Sequence, residues 1–174
     1  VIAYSRKSNY HIRRGEFEEA RNYAEKGIDL AIVIPDKASL ASLCIKMGVL
    51  DDHAGKKKQC VDWYKKALFL YEDVGNMEGV NSCYTNLANI YVTQGMYEEA
   101  LKYHQKARKI MLETGELVAL NGNSLNTGMV YDYMDEYDLA LQHYQDCYQG
   151  AQKEGQKTLA ALALGNMAGI YRRQ

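Results

Sequence analysis

Apolar residues recur along the chain at the spacing of an amphipathic α-helix. In one well-defined stretch the i, i+3, i+4, i+7 pattern is formed by Tyr84, Leu87, Ala88 and Tyr91. A second helical run follows, and its apolar face is formed by Ala100, Tyr103, Ala107 and Ile110. Gly95 lies between the two runs and Gly115 follows the second. Because glycine adopts positive φ without a Cβ clash, Gly95 is predicted to form the turn between two antiparallel helices and Gly115 to cap the second.

This two-helix pattern repeats every 40 residues without a gap. One register contains the segments 86–91, 126–131 and 166–171, each of which begins with Asn and ends with Tyr. A second register contains Gly15, Gly55 and Gly95, and a third contains Gly75, Gly115 and Gly155, with Pro35 in the first unit. The repeat predicts four units, at residues 1–40, 41–80, 81–120 and 121–160. Residues 161–174 are predicted to form the first helix of a fifth unit or a capping helix.

Two positions within the repeat are occupied by small residues. Numbered within the 40-residue unit, position 8 contains Ser8, Gly48, Ala88, Gly128 and Ala168. Position 20 contains Ala20, Cys60, Ala100 and Ala140. We expect these residues to let paired helices approach closely, so that a larger side chain there costs about 1–3 kcal/mol through overpacking.

The repeated positions resemble those of the tetratricopeptide repeat family. The best copy of the family pattern is formed by Tyr84, Leu87, Ala88, Tyr91, Gly95, Tyr97, Ala100 and Ala107. The 40-residue period is longer than the usual period of about 34, and this variant is similar to the repeats of LGN/Pins adaptors and of bacterial regulators. The second unit departs from the pattern, because Asp51 replaces a tyrosine and Lys57 replaces an aromatic residue.

The resemblance implies an all-α fold, a right-handed α-solenoid of antiparallel helix pairs with about nine helices. In such a solenoid the first helix of each pair lines the concave face and the second helix lines the convex face. Neighbouring pairs supply one another's core.

Composition excludes several classes of protein. The chain has 21 basic and 22 acidic residues and a net charge of −1, which argues against nucleic acid as a partner because phosphate binding needs a concentrated basic surface. No stretch is apolar over the roughly 18 residues that membrane insertion requires. The four cysteines are well separated, which favours a cytoplasmic location. The chain begins at a valine, and we expect it to be part of a longer protein.

The sequence contains no catalytic, cofactor or metal-binding motif, so we predict neither an enzyme nor a cofactor or metal site. His11 occupies a repeat position where tyrosine is usual and is predicted to pack rather than to bind a ligand. His104 and His143 have no carboxylate or thiol partners at metal-ligand spacing. The aromatic residues at position 23 are predicted to pack within the solenoid: Tyr23, Trp63 and Tyr103.

A binding surface is predicted on the first helices, at positions 2, 5, 6, 9, 12 and 13 of each repeat. Leu125, at position 5 of the fourth repeat, belongs to this predicted surface. Position 6 contains an asparagine ladder, which we define as Asn86, Asn126 and Asn166. A primary amide can bond both the N–H and the C=O of a passing backbone, so a row of them suits an extended peptide. The predicted peptide-binding groove consists of Asn86, Asn89, Asn126, Met129, Tyr133, Asn166 and Arg173. The alternative is that these asparagines are solvated polar residues or bond their neighbours across the helix stack.

The chaperone-binding members of the family resemble one another in a carboxylate clamp of two asparagines and three cations. Asn89 and Asn126 match the two asparagines, but the cation positions contain Thr85, Leu162 and Asn166. A terminal carboxylate would be poorly compensated there, so we expect an internal segment of the partner to bind. Arginines near the two ends of the groove suggest an acidic flank on that partner: Arg6, Arg13, Arg172 and Arg173.

Three functions are consistent with the sequence. The first is a non-catalytic scaffold or adaptor that binds an extended peptide segment of a partner protein in its concave groove. The second is a ligand- or peptide-sensing regulatory domain of a larger signalling protein. The third is an architectural subunit of a multiprotein assembly, which would use the convex face. Self-association through an open end of the solenoid is a further hypothesis about partners.

Overall fold

The computed structural model describes residues 1–174, which form nine α-helices and no β-strand. The helices are α1 (Ile2–Arg13), α2 (Phe17–Val33), α3 (Lys37–His53), α4 (Lys57–Asp73), α5 (Met77–Thr93), α6 (Tyr97–Thr114), α7 (Leu117–Tyr133), α8 (Tyr137–Lys153) and α9 (Lys157–Tyr171). Helices α3, α5, α7 and α9 begin 40 residues apart, at residues 37, 77, 117 and 157. The predicted all-α fold class is therefore confirmed, and the period of the sequence is the period of the helix pairs.

The chain folds as two compact units, Val1–Ile90 and Tyr91–Gln174. In the first unit α2 packs against both α1 and α3, α3 packs against α4, and α1 lies next to α3. In the second unit α7 packs against α6 and α8, α8 packs against α9, and α7 lies next to α9. Within each unit, first helices are thus neighbours and second helices pack against them, which is the layering of an α-solenoid.

The turns confirm the role predicted for glycine. Gly95, between α5 and α6, has φ of 71°, and Gly115, after α6, has φ of 72°. In the last helix pair the residue equivalent to Gly95 is Asp135, which also takes a positive φ of 60°. Aspartate tolerates this conformation better than most residues. Its carboxylate accepts a hydrogen bond of 2.7 Å from the hydroxyl of Tyr137.

Close approach of paired helices depends on a small residue at position 8 facing a ring at position 24. A Cβ added to Gly48 would lie 2.6 Å from the ring of Tyr64, and one added to Gly128 would lie 2.7 Å from the ring of Tyr144. In the α1–α2 pair, Ser8 occupies position 8 and position 24 contains an alanine. The side chains at the two positions therefore share one fixed volume, so that a larger residue at position 8 is matched by a smaller one at position 24.

Position 11 of each first helix faces position 23 of the second helix. Three of the four pairs are stacked rings: His11 with Tyr23, Tyr91 with Tyr103 and Tyr131 with His143, at centroid distances of 5.2, 5.6 and 5.4 Å. The predicted packing role of Tyr23 and Tyr103 is confirmed. His11 also packs as predicted, and its Nδ1 lies 2.6 Å from a carboxylate oxygen of Glu16.

The α3–α4 pair replaces the stacked rings with a polar contact. The indole N–H of Trp63 donates to Asp51 across 3.0 Å, and the guanidinium of Arg21 on α2 binds the other Asp51 oxygen at 2.6 Å. Asp51 is only 3% exposed. In the second 40-residue repeat, the departure from the family pattern is therefore a buried carboxylate with two partners. It leaves the helix pair intact.

Candidate functional site

In the first unit, position 6 of successive first helices contains Arg6, Lys46 and Asn86. Asn86 is half-buried on α5, and its amide makes no hydrogen bond within the chain. Asn89, one turn further along the same helix, is exposed. The first unit therefore presents two cations followed by two amides along the predicted binding side.

In the second unit, the predicted groove residues lie on or immediately after the neighbouring helices α7 and α9. Asn126 is half-buried and its amide has no partner within the chain, as for Asn86. Met129 is also half-buried and packs partly against the core cluster of this unit. The prediction that Leu125 lies on the binding surface is wrong: it is 7% exposed and belongs to that same core, because α7 contacts helices on both sides.

Asn166 differs from the other members of the asparagine ladder. Burial raises the pKa of Tyr144 above its ordinary value, and the nearby side-chain amide of Asn166 opposes that shift. Asn166 is thus the member of the ladder whose amide lies near a buried hydroxyl of its own unit. The amides of Asn86 and Asn126 have no such neighbour and keep their hydrogen-bonding capacity.

Tyr133 and Arg173 each make a contact with another helix that sequence reasoning missed. The ring of Tyr133 is 53% exposed and stacks on Tyr97 at a centroid distance of 5.9 Å. The Arg173 guanidinium lies over the ring of Tyr137 at 5.5 Å and binds a carboxylate oxygen of Asp132 at 2.6 Å. Asp132 therefore compensates the charge that was expected to attract an acidic partner.

The sequence did contain a signal for these contacts. The aromatic residue that opens a second helix lies 36 residues before its partner on the next first helix, as in Tyr97–Tyr133. The same spacing joins Tyr137 to Arg173. It also joins Phe17 to His53, whose rings stack at 4.5 Å.

The cysteines have the properties of core residues. All four are buried and unpaired by disulfides: Cys44, Cys60, Cys83 and Cys147. Burial raises the pKa of Cys44 and Cys60 to about 11 and that of Cys83 to about 12, so their thiols are protonated at neutral pH. No group of three or more His, Cys, Asp or Glu side chains is arranged to hold a metal ion. None of the helices combines the length and apolarity needed to cross a membrane.

Comparison with known proteins gives two family matches. Residues 2–33 and residues 82–110 each match the sequence profile of the tetratricopeptide repeat. No curated protein sequence matches the chain significantly.

Solved structures share the fold at low sequence identity. A signal transduction ATPase with a tetratricopeptide repeat sensor from Pyrococcus horikoshii superposes with a TM-score of 0.88 at 17% identity, over 97% of this chain and 26% of its own. The apo form of RapI gives 0.86 at 19% identity, over 98% and 48%. A plasmid's Rap conjugation gene regulator, solved with a peptide, gives 0.73 at 19% identity, over 94% and 47%. The chain thus spans about a quarter to a half of these proteins.

Proposed function

Because the chain belongs to the tetratricopeptide repeat family, we propose that it is a non-catalytic protein-interaction scaffold. Its ligand is an extended peptide segment of a partner protein, bound along the exposed sides of the first helices. The observation that carries the proposal is that each unit presents an unused, half-buried amide at position 6, Asn86 in the first unit and Asn126 in the second. Each can accept a backbone N–H and donate to a backbone C=O, which recognises an extended strand whatever its side chains.

The structural relatives support a peptide ligand only through the fold that they share with this chain. One of them, the Rap conjugation gene regulator, was solved in complex with a peptide. The exposed ring of Tyr133, stacked on Tyr97, supplies an apolar surface next to polar groups, and such surfaces are typical of peptide-recognition sites. Tyr133 would therefore contact a side chain of the peptide while the amides hold its backbone.

A regulatory sensor is the second candidate. It is supported by the overlap with about a quarter of the signal transduction ATPase, whose own tetratricopeptide repeats are described as its sensor. In that case the same peptide-binding surface would control a further domain of a longer protein. Both candidates share the binding step, which can be tested first.

Selection of peptides from a random library displayed on phage, followed by fluorescence anisotropy with labelled synthetic peptides, tests the binding step. Replacing Asn86, Asn126 and Asn166 with alanine should weaken binding more than tenfold, because several peptide hydrogen bonds of about 1 kcal/mol each are lost. The matched control replaces three exposed amides on second helices, Gln105, Gln145 and Gln149, with alanine and should leave affinity unchanged. Circular dichroism establishes that both variants keep their helices. Equal affinity of the wild-type protein and the asparagine variant would contradict the proposal.

A further inference from the structure

A cavity of about 550 Å³ lies in the first unit, between α2 and the C-terminal end of α3. Part of its lining is apolar, formed by Ala54 and by Leu50, which is only 2% exposed. Phe17 also lines it, and the Phe17 ring stacks on His53 at a centroid distance of 4.5 Å. The cavity therefore has the volume and the apolar and aromatic lining that are typical of a site for a small organic molecule.

Helix α2 contributes a row of hydrogen-bond acceptors to the same cavity. The row consists of Glu18, Asn22 and Glu25, which follow one another at i, i+4 and i+7 and so share one face of the helix. At a rise of 1.5 Å per residue, the two successive spacings along the helix axis are about 6 Å and about 4.5 Å. All three residues are exposed, so their side-chain oxygens are open to a ligand.

The charge of the lining is negative once the contacts within the chain are counted. The guanidinium of Arg21 lines the cavity, but it binds the buried carboxylate of Asp51 at 2.6 Å, which compensates its charge. Lys56 is then the one remaining lysine or arginine of the lining, against two glutamates. Aromatic ring faces also attract cations. The lining therefore favours an organic cation that has apolar segments.

We propose that this cavity binds a linear polyamine, an alkyl chain that carries three protonated amines. The terminal ammonium groups bind Glu18 and Glu25, and the central one donates to the side-chain carbonyl of Asn22. The unequal spacings of these three acceptors suit a triamine with one four-carbon and one three-carbon segment. Its methylene groups pack against Leu50 and the ring of Phe17. The site is separate from the peptide-binding groove, because none of the groove residues lines the cavity.

Isothermal titration calorimetry with spermidine measures binding to the wild-type protein and to the variant Glu18→Gln/Glu25→Gln. The control variant Glu19→Gln/Asp29→Asn removes two exposed carboxylates of the same helix that do not line the cavity, so that the change in net charge is the same. Magnesium chloride is a second probe, because a surface that only attracts counterions binds Mg²⁺ as well. A third probe is N-acetyl-lysine amide, which represents a lysine side chain of a partner protein. Circular dichroism checks that each variant keeps its helices.

The proposal predicts that spermidine binds the wild-type protein and shifts the methyl resonances of Leu50 and Ala54 in a ¹³C-methyl NMR spectrum. Glu18→Gln/Glu25→Gln should bind about tenfold more weakly, because two exposed ion pairs with the ligand are lost, and the control variant should bind within twofold of the wild type. Lys56→Gln should bind about two- to threefold more tightly, because it removes a cation that repels the ligand.

Weaker binding by Lys56→Gln would overturn the assignment to a cation. Equal weakening in the two carboxylate variants, or Mg²⁺ binding as tight as that of spermidine, would reduce the interaction to general charge attraction and overturn the site. Equal affinity for N-acetyl-lysine amide would assign the cavity to a side chain of a partner instead of a polyamine. No binding of spermidine at millimolar concentration would also overturn the proposal. Because the asparagine ladder takes no part in this site, the polyamine site and the peptide-binding function can fail independently.

Discussion

The two compact units use the same helix pair but fill its repeat positions with different chemistry. In the first unit, position 6 begins with Arg6 and Lys46, and the contact between α3 and α4 contains the buried carboxylate of Asp51. In the second unit, position 6 contains only amides, and Tyr131 stacks on His143 where Asp51 meets Trp63. Ionic groups thus replace rings and amides without changing the helix pairs.

This difference shows which positions determine the backbone. Both units keep a glycine against a tyrosine ring, at Gly48 and Gly128, and both keep a left-handed residue in the turn. Steric fit and turn geometry are therefore repeated, while the polar partners vary. Substitutions at each kind of position test whether steric fit and polar partners act separately.

Acid should destabilise the second unit more than the first. Burial lowers the pKa of His104 to about 4, and neither of its ring nitrogens has a hydrogen-bond partner. The unfolded chain, with an ordinary histidine pKa near 6.5, binds a proton that the folded chain does not. Stability is therefore lost as the pH falls from about 6.5 to 4, by about 3 kcal/mol in total.

Hydrogen exchange at pH 7 and pH 4.5, corrected for the slower intrinsic exchange at the lower pH, should show this loss as smaller protection factors in α6 to α8. The variant His104→Leu keeps a side chain of similar size but cannot titrate, so its pH dependence should be flatter. If the wild-type protein and this variant lose protection equally at pH 4.5, the acid sensitivity comes from other groups.

Removing the carboxylate of Asp51 should break the ionic contact in the first unit. Asp51→Ala leaves the Trp63 N–H and Arg21 without their acceptor and is expected to lower the free energy of unfolding by about 2–3 kcal/mol. The expected loss in the free energy of unfolding is smaller than for a fully buried ion pair because the Arg21 side chain is 29% exposed. Urea denaturation monitored by circular dichroism measures the change.

The informative companion is Asp51→Tyr, which restores the ring pair present in the other three helix pairs. It should be more stable than Asp51→Ala by at least about 1 kcal/mol, because the introduced phenol ring would stack on Trp63. Equal stability of the two variants would show that the α3–α4 pair cannot accept the contact used elsewhere in the chain.

Filling the space beside a position-24 ring should cost about 1–2 kcal/mol in either unit. Gly48→Ala and Gly128→Ala both place a methyl group within 3 Å of a buried tyrosine ring, which must shift to make room. Gly122→Ala is the matched control, because a Cβ there meets no atom within 4 Å. Thermal unfolding should therefore rank Gly122→Ala above the other two, and the reverse order would contradict the steric account.

The smallest expected effect concerns Arg173. Asp132→Asn removes its counterion, with a change in stability below about 0.5 kcal/mol, because the pair is partly exposed. The freed guanidinium should instead raise affinity for a peptide with an acidic residue near Tyr133 by about two- to threefold. Fluorescence anisotropy at low and high salt checks this, because the gain should disappear at high salt.

Most of the fold follows from the sequence because its causes are local. Helical periodicity, the 40-residue spacing and turn residues such as Gly95 act within one or two helices. The contacts that escaped prediction join residues on different helix pairs. Arg21 meets Asp51 thirty residues later, and Tyr97 meets Tyr133, only because α2 packs against α3 and α6 against α7.

In the candidate site, the availability of the asparagine amides also depends on contacts between different helix pairs. Asn86 and Asn166 are equivalent in sequence, and each follows a tyrosine by 22 residues, at Tyr64 and Tyr144. Asn166 interacts with its tyrosine, whereas the hydroxyl of Tyr64 interacts with Cys60. Whether an amide remains available therefore depends on a neighbour on another helix, and the repeat pattern alone does not determine it.

The shared space between positions 8 and 24 limits how such a protein can be rearranged. Moving a single helix between pairs would place a glycine opposite an alanine and leave a void, or place a serine opposite a tyrosine and cause a clash. Transplanting both helices of a pair together preserves the fit. The helix pair is therefore the smallest module that recombination or engineering can shuffle, and chimaeras cut at the turns between pairs should fold better than those cut at the turns within them.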